Sequence, residues 1–327
     1  MRFVLNLLCN QDRSRSGLQM GGRMKRIETK AAYFIKLGAR GDWEDGSLSE
    51  GSLRFGYKET PHELCLAADW QAVWQVWHQA RGDGGTATRD VKQIRAFYES
   101  QEDYLFITFS NGLLHWCRPT GPVELLENGD RKRGTVDGWH SRSIGGKLLS
   151  KERLSGQLLA VEGFRGTICR VKAFQYLLRK LNDELSPLVS AAEEAETRLV
   201  EAIVPMIQQL SWKDLELLVD LIFSTTGWRR VSRVGATQKT IDLELVLPTT
   251  SEKAFVQVKS RAGVADVREY VQKFEDAPIY ERMFFVWHTG DIPQTEATSG
   301  VTLVGPHKLA GMVIDSGLSS WLRDKVA

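Results

Sequence analysis

The 327-residue chain carries 43 Lys and Arg residues against 41 Asp and Glu residues, a formal net charge of +2, and 42% of its residues are hydrophobic. This composition excludes a disordered chain and a global polycation, so any nucleic-acid surface must be a local patch. The length suffices for two domains.

The positions of the cysteines and the lengths of the apolar runs indicate the cellular compartment in which the protein is expected. The cysteines are Cys9, Cys65, Cys117 and Cys169. Because no two lie close together, neither a zinc site nor a disulfide framework is expected, and we predict a reducing compartment, the cytoplasm. The apolar start, residues 1–9, is short, is interrupted by Asn6 and lacks a cleavage site, which argues against a signal peptide. No run approaches the roughly 20 apolar residues that span a bilayer, so we expect no membrane partner.

Residues 1–30 are predicted to be a flexible N-terminal segment, because organised patterning begins only at Ala31. Residues 31–182 show short strand and helix patterns in an order typical of an α+β domain. The predicted strands are Ala31–Leu37, Ser52–Tyr57, Asp103–Phe109, Leu113–Cys117 and Val161–Ile168. The predicted helices are Asp69–Ala80, Val91–Tyr98 and Val171–Leu181, and the predicted loops are Gly41–Gly51 and Gly82–Thr88.

Two short motifs of this region resemble the small barrel domains of the PUA-like and EVE-like group. They are Ile35-Lys36-Leu37-Gly38-Ala39 and Leu53-Arg54-Phe55-Gly56-Tyr57, and the passage Val91–Phe109 follows the same order. The resemblance implies a reader domain that holds a modified or flipped base in an aromatic pocket. The candidate pocket residues are Trp43, Tyr57, Trp116 and Trp139. The alternative for Tyr57, Trp116 and Trp139 is a place in the hydrophobic core, which the helical spacing favours for Trp70, Trp74 and Trp77. Trp43 lies in a polar loop, and its alternative is to anchor that loop.

A local basic segment, Gly129–Arg153, follows and is predicted to be a loop. Its first cationic residues, Arg131, Lys132 and Arg133, are candidates for contact with DNA phosphates. A solvated, mobile loop is an equal alternative. The next segment, Ser186–Leu210, is predicted to be a helix that begins at Pro187 and is kinked or broken at Pro205. We interpret residues 183–210 as a helical connector, with a dimerisation helix as the alternative.

The segment Gly235–Arg261 contains two runs with a strand period of two, on either side of a turn at Pro248–Lys253. If the runs pair as a hairpin, one face of the sheet carries four polar residues. They are Asp242, Glu244, Gln257 and Lys259. Carboxylates beside an ammonium suit a divalent metal and the hydrolysis of a phosphodiester.

This segment resembles the Mrr-like branch of the PD-(D/E)XK nuclease superfamily. The matching residues are Leu215-Glu216 on a helix, Gly227-Trp228-Arg229-Arg230-Val231, Ile241-Asp242 and Gln257-Val258-Lys259. Downstream, Val264–Phe274, Met283–Trp287 and Val301–Leu322 fit the helix, strand and closing segment of the family. The resemblance runs from about Pro205 to the end, and implies an α/β restriction-endonuclease-like domain, residues 211–327, with a central mixed sheet. One departure is that Gln238-Lys239 replaces an acidic centre after Gly235.

The resemblance also assigns roles to residues. Asp242, Gln257 and Glu216 are the expected ligands of Mg²⁺, with Mn²⁺ as an alternative ion. Lys259 is expected to orient the attacking water or to stabilise the transition state. Glu244 is interpreted as structural. Two further residues are candidates for the site surroundings: Gln272 could face the site, and Arg261 could contact nucleic acid.

The function implied is a metal-dependent endonuclease that cuts double-stranded DNA, in a modification-dependent restriction or anti-phage defence system. Cutting both strands requires two active sites, so a homodimer on DNA is expected. Two alternatives stay open. One is a degraded nuclease fold that serves as a nucleic-acid binding or assembly module, and the other is an RNA-directed or repair nuclease.

Overall fold

The computed structural model describes residues 25–231 and 241–327. The chain divides into two compact units, residues 1–186 and 187–327. The first unit has hydrophobic clusters on two faces of its sheet, and so has the second. Among the described residues, no helix is long and apolar enough to cross a membrane.

The first unit alternates short strands with helices. In chain order its elements are β1 Ala31–Ile35, α1 Glu44–Glu50, β2 Ser52–Phe55, α2 His62–Leu66, α3 Trp70–Arg81, α4 Gly84–Glu99, β3 Tyr104–Ser110, β4 Leu113–Leu125, β5 Arg131–His140, α5 Gly156–Leu159, β6 Ile168–Arg170 and α6 Phe174–Leu181.

The strands of the first unit form one mixed sheet of six strands in the order β2-β5-β4-β3-β1-β6. Within the described part of this unit, β1 and β3 pair in parallel and the other neighbouring strands pair antiparallel. Helices α3 and α4 pack on one face of the sheet, and α5 and α6 pack on the other. The α+β order predicted for this region is therefore correct, whereas the PUA-like barrel stays a prediction.

Several local predictions for the first unit are wrong. The expected loop Gly41–Gly51 contains helix α1, because acidic residues in its first turn and Gly51 at its end, with φ of 63°, favour a helix. Helix α4 begins inside the expected loop at 82–88, because the side chain of Asp83 caps it by accepting from the Thr86 amide at 2.6 Å. The strand expected at Val161–Ile168 begins only at Ile168.

The flexible N-terminal segment predicted for residues 1–30 is also corrected in its last part. Ile27 is buried. Its amide donates to the side-chain oxygen of Asn182 at 2.7 Å, and its carbonyl accepts from the Asn182 amide nitrogen at 3.0 Å. This two-bond contact attaches residue 27 to the end of α6, so the flexible assignment fails there.

The second unit follows the order that the family resemblance predicts. Its elements are α7 Pro187–Gln208, α8 Trp212–Thr225, β7 Arg229–Arg230, β8 Leu243–Leu247, β9 Glu252–Arg261, α9 Val264–Glu275, β10 Arg282–Thr289, β11 Val301–Val304, α10 Pro306–Asp315 and α11 Ser319–Val326. The strands form a five-stranded sheet in the order β11-β10-β9-β8-β7. The first three of these pair in parallel and the others antiparallel, so the predicted central mixed sheet is confirmed.

Helix α7 occupies most of the predicted connector, residues 183–210, and is continuous through Pro205. Its C-terminal part is packed into the second unit, because Ile203 and Ile207 are buried in the same cluster as the apolar face of α8. Its N-terminal part is exposed, including Leu188 and Leu199. The helix therefore packs into the core of the second unit through its C-terminal part.

Candidate nuclease site

The antiparallel pairing of β8 and β9 positions the polar residues of the second unit. Leu243 lies opposite Val256, and both are buried in the cluster with α8. The next pair is Glu244 and Phe255, and Phe255 is buried on the other side of the sheet, in the cluster with α9. The predicted hairpin and its two faces are therefore confirmed.

Asp242 lies directly before β8 and binds the neighbouring strand. Its Oδ2 atom accepts a hydrogen bond from the Val258 amide at 2.7 Å and another from the Gln257 side-chain nitrogen. These contacts bring a carboxylate of one strand to an amide side chain of the next. The other polar atom of that amide, Gln257 Oε1, is buried and has no partner among the described residues. A buried acceptor without a donor or a cation is costly.

Glu216 lies on α8, whose residues Leu215, Leu218 and Val219 are buried. Burial raises the pKa of the Glu216 carboxyl, the charge of Asp242 raises this pKa further, and Arg230 lowers it. Burial likewise raises the pKa of Asp242, while the Val258 amide, Lys259 and Gln257 lower it. The two carboxylates are therefore close enough to repel each other, and a cation beside them would stabilise both anions.

Lys259 lies on the face of β9 that carries Gln257, and its charge acts on Asp242. Its ammonium nitrogen lies 5.4 Å from the centre of the Tyr270 ring on α9. The ammonium of Lys273 lies 4.2 Å from the centre of the same ring. A ring face attracts a cation at these distances, so Tyr270 helps to fix where the Lys259 ammonium lies.

We use the name candidate nuclease site for Glu216, Asp242, Gln257 and Lys259. Among the described residues, no group of three or more His, Cys, Asp or Glu side chains could hold a metal ion. A metal here would therefore rely on two carboxylates and the amide oxygen. The segment from Gly235 to Lys239, in which this sequence departs from the acidic pattern of the family, lies outside the described residues.

The other residues predicted near this site lie outside its contacts. Glu244 accepts from the Tyr280 hydroxyl at 3.2 Å, which fits its structural interpretation. Gln272 is exposed, and its amide donates to Asp276 at 3.2 Å. Arg261 is exposed at the end of β9, two residues beyond Lys259.

The predicted reader pocket of the first unit is divided among three places. Trp43 and Tyr57 line a cleft of about 620 Å³ together with Trp77. Trp139 lines a second cavity of about 410 Å³. Trp116 is buried, and its indole nitrogen donates to the Arg142 carbonyl at 2.9 Å. The prediction of one cage is therefore wrong, because alternate residues of β4 and β5 face different sides of a sheet covered on both faces.

The predicted phosphate contacts of the basic segment also do not fit the structure. The segment forms β5, in which Arg131 and Arg133 point inward and are buried. Arg133 donates to the carbonyls of Phe97, Ser100 and Gly121 at 2.9, 2.7 and 3.0 Å. Arg131 likewise donates to backbone carbonyls. Lys132 forms an ion pair with Glu50 at 2.6 Å. Buried guanidinium groups that bond to the protein cannot contact a phosphate.

Sequence reasoning missed two cationic residues of the larger cleft, Arg40 and Arg165. Arg40 has φ of 56° and lies between Gly38, with φ of 87°, and Gly41, with φ of 86°. The spacing of these glycines could have indicated a tight turn that presents the arginine. Nothing local in the sequence around Arg165 indicates that it faces the same cleft.

Comparisons with known proteins address the second unit most directly. Residues 207–310 match the family model Mrr_cat, which is described as a restriction endonuclease. This match confirms the predicted resemblance, and the second unit carries a restriction endonuclease domain. No curated protein matches the chain.

Two solved structures share a low similarity with the chain. One is the DNA modification-dependent restriction endonuclease AspBHI, at 13% identity and a TM-score of 0.29, with 68% of each chain covered. The other is the MspJI restriction endonuclease in complex with a 27-mer oligonucleotide, at 13% identity and a TM-score of 0.28, with 73% of this chain and 69% of that chain covered.

Proposed function

We propose that the second unit is a metal-dependent DNA endonuclease and that the first unit makes cleavage depend on a modified base. The observation that carries the proposal is the hydrogen bond between Asp242 and Gln257, beside which the charges of Glu216 and Lys259 act, within a segment that matches a restriction endonuclease family model. Carboxylates, an amide oxygen and an ammonium are the groups that a phosphodiesterase needs around the scissile phosphate.

The residues present fit a divalent metal. Gln257 Oε1 is buried and has no hydrogen-bond partner within residues 25–231 and 241–327, and burial raises the pKa values of both carboxyl groups. Asp242, Glu216 and the Gln257 oxygen would hold Mg²⁺, or Mn²⁺, which prefer oxygen ligands. A bound Mg²⁺ would supply positive charge beside the phosphate and promote the ionisation of a water molecule.

The chain's own side chains supply the rest of the chemistry. The Lys259 ammonium, held over Tyr270, is a fixed positive charge that stabilises the additional negative charge of the phosphorane-like transition state. The Val258 amide holds the Asp242 carboxylate in one orientation, so its second oxygen stays available. Arg261, exposed beyond the site on β9, is placed to contact the DNA backbone.

The substrate that this proposal implies is double-stranded DNA carrying modified bases, as expected of a restriction or anti-phage defence enzyme. Cleavage of both strands requires two copies of the candidate nuclease site. We therefore propose that the protein acts as a homodimer on DNA.

A cleavage assay with the full-length protein tests the proposal. Matched duplexes contain unmodified, methylated, hydroxymethylated or glucosylated bases, and each is incubated with Mg²⁺, Mn²⁺ or EDTA. We expect cleavage of at least one modified duplex with a divalent metal, slower cleavage of the unmodified duplex, and none in EDTA. If a folded preparation leaves every duplex intact with both metals, the endonuclease proposal fails.

A second candidate function is a binding or assembly module built on an inactive nuclease fold. The observation that favours it is that the described residues offer no group of three metal-binding acidic, histidine or cysteine side chains. A module of this kind retains DNA binding that is unaffected by Lys259→Ala and by EDTA, and it cleaves nothing. Metal-dependent cleavage that disappears in Lys259→Ala excludes it.

A further inference from the structure

Helix α8, which carries Glu216 of the candidate nuclease site, begins with a tryptophan that lies in solvent. Trp212 is 60% exposed and is the first residue of the helix. The other tryptophans of the second unit are buried or pack against its hydrophobic clusters, and they are Trp228, Trp287 and Trp321. Among the described residues, the indole of Trp212 packs into neither cluster, so a large apolar surface stays uncovered at this place.

Trp212 and Glu216 lie on the same side of α8. They are four residues apart, so their Cβ atoms are about 5–6 Å apart on the helix surface. The Cα–Cβ bond of a helical residue tilts toward the N-terminus, so the Glu216 side chain leans toward the turn that carries Trp212. The charge of Asp242 acts on the same Glu216 carboxyl group. The exposed indole therefore lies one helical turn from a carboxylate of the candidate nuclease site.

The first turn of α8 carries one unpaired charge among the described residues, and this charge is positive. The ammonium nitrogen of Lys213 lies 5.3 Å from the centre of the Trp212 ring and has no ion pair or hydrogen bond with any residue that the structure describes. The acidic residue of this turn, Asp214, is already paired, because its Oδ1 atom accepts from the Lys325 ammonium at 2.8 Å. An apolar ring beside an unpaired ammonium suits a polyanion that also has apolar surface.

We propose that Trp212 and Lys213 hold the DNA strand beside the scissile phosphate. The indole ring packs against the deoxyribose that is bonded to this phosphate, and the Lys213 ammonium binds a neighbouring phosphate. In a duplex the bases are stacked on one another, so the sugar is the apolar surface that a ring next to the site meets first. The inference rests on the proposed nuclease function and deepens it, because it names residues that bind the substrate without taking part in the chemistry.

Charge favours DNA over a second copy of this chain as the occupant of this surface. A two-fold contact centred on Trp212 would bring the Lys213 ammonium of one copy near that of the other, and like charges across an interface are unfavourable. A DNA strand instead brings phosphates to the same ammonium. The sugars of the strand cover the indole at the same time.

Binding of labelled duplexes to the full chain in EDTA tests the inference without any cleavage step. Fluorescence anisotropy gives the affinity for unmodified and modified duplexes at several salt concentrations. Trp212→Ala should weaken binding about fivefold or more, because the ring no longer covers apolar surface of the strand. The loss should be similar at each salt concentration, since the indole is uncharged. Trp212→Phe retains an aromatic ring and should recover most of the affinity.

Lys213→Ala should act on the salt dependence itself. One phosphate contact contributes about 0.9 to the slope of log affinity against log salt concentration, so the slope should become shallower by about that amount. Two matched controls should leave affinity and slope unchanged. Leu217→Ala removes an exposed apolar side chain of the same helix, and Lys253→Ala removes an exposed lysine at the start of β9. Thermal melting checks folding, and substitutions at the exposed Trp212 and Lys213 should leave the melting temperature unchanged.

Several outcomes overturn the inference. They are wild-type protein that binds no duplex, Trp212→Ala that binds as wild type, and Lys213→Ala that keeps the wild-type slope. A loss of affinity in Trp212→Ala that comes with a change of oligomeric state in sedimentation overturns it too, because the indole then contacts a second copy of the chain.

Failure of the nuclease proposal is distinguishable from these outcomes. In that case DNA stays intact with Mg²⁺ and Mn²⁺, while the binding differences between the variants and wild type persist in EDTA. Conversely, cleavage that disappears in Lys259→Ala, together with wild-type binding by Trp212→Ala and Lys213→Ala, retains the nuclease and excludes this DNA contact.

Discussion

The candidate nuclease site and the cleft of the first unit have opposite electrostatic requirements. The nuclease site holds two carboxylates whose pKa values are raised mainly by burial, so it is stabilised by a cation. The cleft exposes two guanidinium groups with no partner among the described residues, so it is stabilised by an anion. Under the proposed function, DNA phosphate and a divalent metal would supply these two charges. The comparison teaches that a chain with a formal net charge of only +2 carries sites of opposite charge in its two units.

The same comparison distinguishes exposed cationic side chains, which are available to a ligand, from buried ones that stabilise the fold. Arg133 is 2% exposed and its guanidinium donates to three backbone carbonyls. Arg165, in the same unit, is exposed. Charge type alone therefore does not identify a nucleic-acid contact, and the decisive property is whether the charged group already has partners.

The largest expected effect is on Lys259. Removing the ammonium in Lys259→Ala should lower the rate of DNA cleavage by about 10²–10³-fold, because one preorganised charge at the transition state is lost. DNA affinity in EDTA should change little. The matched control is Lys253→Ala, which removes an exposed lysine of the same strand. Single-turnover rates measure the effect, and equal rates for both variants would remove Lys259 from the site.

The next effect concerns folding and contrasts two arginines of the first unit. Arg133→Met should destabilise the protein by about 3 kcal/mol, since three backbone carbonyls, two of them buried, lose their donor. Arg165→Met should change the free energy of unfolding by less than about 0.5 kcal/mol, because its side chain is exposed. Urea denaturation of both variants gives the two values. A similar loss of stability in both variants would contradict the conclusion that Arg133 stabilises the fold and Arg165 does not.

A smaller effect tests how Lys259 is positioned. Tyr270→Leu should lower the cleavage rate about two- to fivefold at unchanged DNA affinity, because a cation–π contact at a partly exposed position contributes roughly 0.5–1 kcal/mol. Tyr270→Phe retains the ring face and should restore the wild-type rate. Lys273→Ala removes the other ammonium on the ring and is the control for a general change of charge. If Phe and Leu reduce the rate equally, the hydroxyl or the packing matters and the ring face does not.

The two units differ in how much of their fold and of their candidate sites could be predicted from the sequence. In the second unit a period of two over β8 and β9 determines which side chains share a face. It predicts that Asp242, Gln257 and Lys259 lie together, and the hydrogen bond between Gln257 and Asp242 agrees with this prediction. These are local rules that operate over about 20 residues. The Glu216 helix required the family resemblance, because its approach to Asp242 is a tertiary contact.

In the first unit the same local rules were insufficient. Trp116 and Trp139 follow strand patterns, but a sheet covered by helices on both faces gives no solvent side from which a pocket could be predicted. Arg131 and Arg133 look like surface residues by type, and only the carbonyls of distant segments make their burial favourable. Arg40 and Arg165 are 125 positions apart and meet at one cleft through the fold alone.

The smallest expected effect is a pH-dependent change of stability at Asp242. Burial is the main cause that raises the pKa of this carboxyl, so the folded protein holds the proton more tightly than the unfolded chain. The resulting stabilisation is present at acidic pH and is lost as the pH rises through the folded-state pKa. In EDTA, Asp242→Asn should therefore melt at a higher temperature than wild type at neutral pH, and the difference should vanish near pH 3.

Adding Mg²⁺ should then reverse the order at neutral pH, because a metal that binds the folded carboxylate stabilises only the wild-type protein. Asp324→Asn neutralises an exposed carboxylate of the same unit and is the control for net charge. Melting temperatures across pH, with and without the metal, measure both effects. An Asp242→Asn variant that Mg²⁺ stabilises as much as wild type would show that the metal binds elsewhere. Lys259 would then be the positive charge that stabilises the Asp242 carboxylate. The contrast between the two units would no longer involve a metal ion.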